Sequence, residues 1–163
     1  MGGTKQPDQM NRVILDRRRQ EMALLGAWQD ARTGLVAALA KHDRLAEQRE
    51  RAVTAILGMT PAEVKWARHH ARTGQYPTTV ASRVNYATYV HRRKRVENAE
   101  AQWAERITAT QVAVGAAAAA FCEATRALLS GTTAQTVEEL TGLTRRQVAG
   151  LAKRAFAMRL PAW

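Results

Sequence analysis

An all-α fold is what this chain predicts, on three observations. Ala, Arg, Leu, Glu and Gln dominate, and all are good helix formers. β-branched alternation and hairpin dipeptides are nearly absent. Proline is confined to positions 7, 61, 77 and 161. The expected organisation is a disordered tail over 1–10, a first helical repeat over 11–74, a linker over 75–78 and a second repeat over 79–163. Each repeat is a long helix followed by a short capped unit.

The first long helix is expected to begin near Asp8 or Asn11, just after Pro7. Leu24, Trp28, Ala31, Leu35, Ala38, His42 and Leu45 alternate spacings of four and three, which makes an apolar stripe suited to packing against a second long helix. Ala31 and Ala38 permit close approach. His42 lies in the stripe and reads as a packed or boundary histidine rather than a metal ligand. Asp43 marks a break, or the helix runs on to Leu57.

Gly58-Met59-Thr60 ends that segment. Thr60-Pro61-Ala62-Glu63 is a capping box with proline at the first helical position, where its missing N–H costs nothing. The helix it opens, 61–72, turns Val64, Ala67 and Ala71 inward. Ala62, Lys65, Trp66, His69 and Arg72 lie on or near its outer side. Trp66 reads as a core or interface residue before a stacking group. Gly74 stops the helix, and Gln75-Tyr76-Pro77 makes an extended link.

A second long helix is expected from about Thr79 to Leu129. Its stripe is Trp103, Ile107, Thr110, Val114, Ala117, Phe121, Ala124 and Leu128. Its start is basic, His91-Arg92-Arg93-Lys94-Arg95. Ser130-Gly131 stops it, and Thr132-Thr133 leads on.

Two short helices then follow. Thr136-Val137-Glu138-Glu139 reads as one capping box and Thr144-Arg145-Arg146-Gln147 as another. Gly142 supplies the positive φ of the turn between them. Val148, Leu151 and Ala155 face inward, and Arg145, Arg146, Ala149 and Lys153 fall on the other side. A short helix, a turn with glycine and a basic second helix resemble the helix-turn-helix of bacterial DNA-binding proteins. The resemblance covers 136–159, with a weaker copy at 52–72. The expected fold is therefore two long helices, each followed by a helix-turn-helix-like unit.

An internal duplication is expected from two offsets. A shift of 75 residues places Arg17-Arg18-Arg19 on Arg92-Arg93-Lys94 and Trp28 on Trp103. A shift of 84 places Gly58-Met59-Thr60 on Gly142-Leu143-Thr144, Val53 on Val137 and Val64 on Val148. The first copy lacks a Gly or Pro before its short helices, and Trp66 stands where the second copy has Gly150. It is the weaker reader of the two.

Length and charge bound the function. The 163 residues suffice for one domain or two small ones. A net charge of +11 calls for a polyanionic partner, nucleic acid or an anionic membrane surface, against the plainer reading of surplus surface arginine. From Pro61 to Arg95 there are eight Lys/Arg against one Glu, and from Gly131 to Trp163 five against two. From Val96 to Ser130 the balance is −2, so the excess sits away from the scaffold. The runs Arg17–Arg19 and Arg92–Arg95 are expected to lack acidic partners nearby. The single Cys122 excludes an internal disulfide and reads as a packing residue. No signal-peptide pattern opens the chain. The longest apolar tract, Gly115 to Cys122, is short of a membrane span.

The resemblance implies a double-stranded DNA partner, read in the major groove by the second helix of each unit. Arg145, Arg146, Gln147, Ala149 and Lys153, with Lys65 and His69 in the first copy, are the expected base readers. Thr144, Arg154, Arg159, Thr60, Arg72, Arg92, Arg93, Lys94, Arg95, Arg17, Arg18 and Arg19 are the expected backbone contacts. No catalytic constellation, cofactor motif or zinc spacing occurs, so no enzyme activity, metal or cofactor is expected. The expected protein is a transcriptional regulator or mobile-element accessory factor. It is cytoplasmic and nucleoid-associated, membrane-free, and homodimeric through its long-helix stripes, which also offer a seat for a protein partner. The alternative is a helical adaptor that oligomerises and recruits a packaging or recombination enzyme to DNA. RNA binding ranks third, since few aromatics apart from Trp66, Tyr76, Tyr86 and Tyr89 stand near the basic runs.

Overall fold

A computed structural model describes residues 6–157, with side chains from Gln9 onward. The described residues form five α-helices and no strand: α1 Gln6–Leu57, α2 Pro61–Thr73, α3 Val80–Gly131, α4 Ala134–Thr141 and α5 Arg145–Ala157. Helix α1 begins at Gln6, before Asp8 and inside the stretch expected as a tail. Pro7 sits in its first turn, where no backbone donor is needed. Asp43 does not break α1; its side chain is exposed and the helix runs unbroken past it.

Helix α4 starts earlier than its expected capping box. Thr133 is extended (φ −80°, ψ 165°), and its hydroxyl accepts the Thr136 N–H at 3.2 Å. Thr136 therefore lies within the first turn. Glu139 accepts from Gln135 at 2.9 Å instead of closing a box. The sequence offers two threonine caps three residues apart, and the one that follows α3 directly wins. The other two boxes form as expected. Thr60 and Thr144 accept from the N–H of Glu63 (3.4 Å) and Gln147 (3.2 Å), and those side chains accept back from the cap N–H at 2.8 and 2.9 Å. Gly58 and Gly142, each at φ 68°, precede the two caps, a conformation only glycine adopts without strain.

The chain divides into two compact units that do not follow the sequence halves. Unit 1 is 1–39 with 112–163, and unit 2 is 40–111. Unit 1 therefore joins the first part of α1 to the second part of α3, α4 and α5. Unit 2 joins the rest of α1 to α2 and the first part of α3. The expected linker at 75–78 falls inside unit 2.

In unit 1 the two stripes meet. Leu25, Trp28, Leu35, Ala118, Phe121 and Leu128 form the core with Val137, Val148 and Ala155. The Trp28 ring lies 5.8 Å from that of Phe121. Its buried indole N–H needs an acceptor and donates to Thr125 Oγ1 at 3.1 Å. Thr125 then donates to the Phe121 carbonyl at 2.7 Å. Cys122 is buried, and its thiol donates to the Ala152 carbonyl at 3.3 Å, which fits its reading as a packing residue.

Unit 2 has the smaller core of Val53, Leu57, Met59, Val64 and Val96, with Ile56 and Tyr89 packed against it. His42 pairs through Nδ1 with Thr110 Oγ1 at 2.9 Å. Thr110 gives its one hydroxyl proton to the Ile107 carbonyl at 2.8 Å, so His42 is the donor of that pair. His42 is thus the packed boundary histidine its position predicts.

The stripes expected to join two copies of the chain are buried or half-buried within this one. The membrane reading also needs correcting. Helix α3 contains an 18-residue window of mean hydropathy 1.5 with at most two charged residues, enough to cross a membrane by length and composition. The Gly115 to Cys122 tract falls short by itself, and the window is longer than that tract.

Candidate nucleic-acid interface

Helix α5 is positioned by Val148 and Ala155, both buried against unit 1, with Leu151 and Ala152 half-buried beside them. At 100° per residue the opposite side is Arg146, Gly150, Lys153 and Ala157, spaced four, three and four. Arg146, Lys153 and Arg154 are exposed, and none has a partner among the described residues. Four cations and no carboxylate stand on α5. Ala149 and Gly150 keep the ridge between Arg146 and Lys153 low.

Two expected readers are occupied. The Gln147 carboxamide accepts from the Thr144 N–H and hydroxyl, at 2.9 and 3.1 Å, as the second half of the cap. Its oxygen is therefore unavailable to an adenine edge, because the box that starts the helix claims it. Arg145 turns back, and its Nη1 donates to the Thr132 carbonyl at 3.3 Å. With Ala149, Lys153 and Phe156 it lines a groove of about 440 Å³ whose other wall includes Arg126 and Leu129 of α3. Sequence reasoning missed Arg126, which lies one turn before the Ser130-Gly131 stop and carries no motif. Arg159 lies outside the described residues.

Helix α2 repeats this arrangement with other side chains. Val64 and Ala67 are buried, and the opposite side is Ala62, Trp66, His69 and Thr73. Trp66 is 40 % exposed, so it is not a core residue; its ring centroid lies 3.8 Å from that of His70. Lys65 and Arg72 lie to one side and line a groove of about 770 Å³ with His69, Arg68, Tyr89 and Glu50, closed by Glu100 and Pro61. Arg68 is ion-paired with Glu100. On α2 the lining positions are 61, 65, 68, 69 and 72, and on α5 they are 145, 149, 152, 153 and 156. One shift of 84 residues relates all five pairs.

The basic runs on the long helices are less free than expected. Arg17 pairs with Glu21 at 3.1 Å, Arg19 with Asp16 at 3.8 Å and Arg93 with Glu97 at 2.7 Å. These partners stand three or four residues away on the same helix, the spacing at which side chains meet. Glu97 holds the Arg93 guanidinium above its usual range, first by the hydrogen bond and then by its charge. Arg92 Nη1 donates to the Ile56 carbonyl at 2.7 Å and so satisfies an acceptor left open where α1 ends. Arg18, Lys94 and Arg95 keep no partner among the described residues. At the α2 cap, the Thr60 N–H bond and then the Thr60 hydroxyl hold the Glu63 carboxyl below the usual carboxylate range.

Among the described residues no group of three or more His, Cys, Asp or Glu side chains could hold a metal ion. Comparison with known proteins adds no name, since no family model, curated protein or solved structure matches the chain.

Proposed function

We propose that the chain is a non-enzymatic, sequence-specific double-stranded DNA-binding protein that reads the major groove with α5. The observation that carries this reading is the outer side of α5. Arg146, Lys153 and Arg154 stand exposed and unpaired there, on a short capped helix that carries no carboxylate. An unpaired cation loses nothing internal when it meets a phosphate or a guanine edge. α4, the Gly142 turn and α5 act as a helix-turn-helix, with Arg146 and Lys153 as base readers. Arg154, Arg18, Lys94 and Arg95 serve as phosphate contacts; Thr144 does not, because its N–H and its hydroxyl are both given to Gln147.

The chain arose by duplication, and the shared 84-residue shift between the two grooves supports this. The role is that of a transcriptional regulator or mobile-element accessory factor acting at the nucleoid. A second reading, an adaptor that recruits an enzyme to DNA, draws on Met10, Val13, Ile14 and Leu15, which leave α1 with apolar side chains 53–67 % exposed.

The test is electrophoretic binding to selected against random duplexes. Arg146→Ala with Lys153→Ala should lower affinity for the selected site at least about tenfold, since each base contact contributes roughly 1–3 kcal/mol. Arg145→Ala should change it little. Equal loss on random DNA would make α5 a phosphate clamp, and no loss would end this reading of α5.

A further inference from the structure

The groove of unit 2 has a composition that DNA reading does not use. Lys65, His69 and Arg72 stand four and three residues apart along one edge of α2, so their side chains line one wall. Lys65 and Arg72 lie off the outward crest of that helix, which is Ala62, Trp66, His69 and Thr73. Neither cation has a partner among the described residues. Tyr89 is part of the lining and is half-buried against the unit 2 core. Across from α2 lies Glu50 of α1, half-buried and also without a partner among the described residues. Glu100 is already held by Arg68.

The corresponding groove of unit 1 carries different chemistry. Ala149 stands for Lys65, Ala152 for Arg68 and Phe156 for Arg72, while Arg126, Arg145 and Lys153 supply its charge. The unit 2 groove combines cations with a tyrosine and carboxylates, and the unit 1 groove has cations but neither of those.

We infer that the groove of unit 2, bounded by Lys65, His69, Arg72, Tyr89 and Glu50, binds a nucleoside monophosphate whose base carries an exocyclic amine. Two cations and an imidazole match the charge of one phosphomonoester, about −1.5 to −2 at neutral pH. A flat π-face at the wall takes a base by stacking, which contributes roughly 1–3 kcal/mol per base. An unpaired half-buried carboxylate needs a donor, and an amino group on the base supplies it. The volume of about 770 Å³ falls within the roughly 300–1,000 Å³ of small-molecule pockets. The inference goes beyond the DNA reading and does not depend on it.

The experiment is calorimetric titration of the full chain, without DNA, using adenosine monophosphate, inosine monophosphate, adenosine and inorganic phosphate. Adenosine monophosphate should bind tightest of the four. Lys65→Ala with Arg72→Ala should weaken it roughly tenfold or more while circular dichroism stays unchanged, because both side chains are exposed. Glu50→Gln should bring adenosine and inosine monophosphates to similar affinity. Absent binding, or binding unchanged in the double variant, overturns the site. Inorganic phosphate binding as well as the nucleotide overturns the role of Tyr89 and Glu50. DNA binding is read separately, so a chain that takes the nucleotide and ignores duplexes loses only the earlier proposal.

Discussion

Helices α2 and α5 are both thirteen residues long, both follow a glycine at φ 68°, and both open on a Thr box. Their outward crests nevertheless differ. Helix α5 presents Arg146, Gly150 and Lys153, while α2 presents Ala62, Trp66 and His69 at the corresponding positions. A crest with two cations and a glycine can enter a groove and grip it. One with a tryptophan leaning on His70 is bulkier and poorer in charge. The helices flanking them also differ. In unit 2, Arg92 reaches across to the Ile56 carbonyl and Tyr89 packs on the core. In unit 1 the shift of 75 puts Arg17 and Ile14 in those places. Arg17 bonds its own helix and Ile14 is 53 % exposed, lining an open groove of about 560 Å³ with Leu140. Shared caps and buried valines fix the frame, and the side chains that diverge are those a partner would touch.

The largest effect that sharpens this comparison lies in the cores. Trp28→Ala should cost about 3–5 kcal/mol in urea unfolding, because a buried ring and its bond to Thr125 are both removed. Val64→Ala in the smaller core should cost roughly 2 kcal/mol. Similar losses would show that unit 1 does not depend on its tryptophan.

Arg92→Ala should cost roughly 1 kcal/mol by leaving a carbonyl at the end of α1 without its donor. Arg17→Ala should cost about 0.2–0.5 kcal/mol, the usual value of an exposed pair along one helix. If the thermal midpoints of the two variants coincide, the two flanking seams are equivalent after all.

The smallest effect is a difference in acid. Glu63 has its folded pKa below the unfolded one, so its contribution is complete above the ordinary carboxylate range. It is lost as pH falls through the lowered folded value. Gln147, in the same place on α5, does not titrate. Amide exchange in the first turn of α2 should therefore quicken in acid relative to that of α5, and Glu63→Gln should abolish the difference. Parallel behaviour of both turns in the wild-type chain would disprove the cap assignment.

Much of the frame was legible because it rests on local rules. The stripes from Leu24 to Leu45 and from Trp103 to Leu128 place their members in the core or at its edge, and two of three capping boxes form where the residues say. The third slipped because Thr133 and Thr136 compete for one helix start, and only the chain leaving α3 decides between them. The division into units was illegible, since a periodic stripe says that a helix packs and not which half packs with what. Of the expected base readers, Gln147 is held by its own capping box, a duty the residues announce, and Arg145 by the Thr132 carbonyl, a contact set by tertiary geometry. Tyr89 and Glu50 had no signal at all; nothing in the sequence places α1 and α3 side chains beside α2.

Every side chain from Gln9 to Gln20 is exposed, so the opening turns of α1 rest mainly on their own backbone bonds and on same-helix pairs such as Arg17–Glu21 and Arg19–Asp16. A solitary helix of that length is marginal in water. Its amide protons should be the first in the described chain to trade with deuterium, while those from Leu25 on wait for unit 1 to open. A partner that slows that early exchange would be identified as touching this overhang, with no label or substitution required.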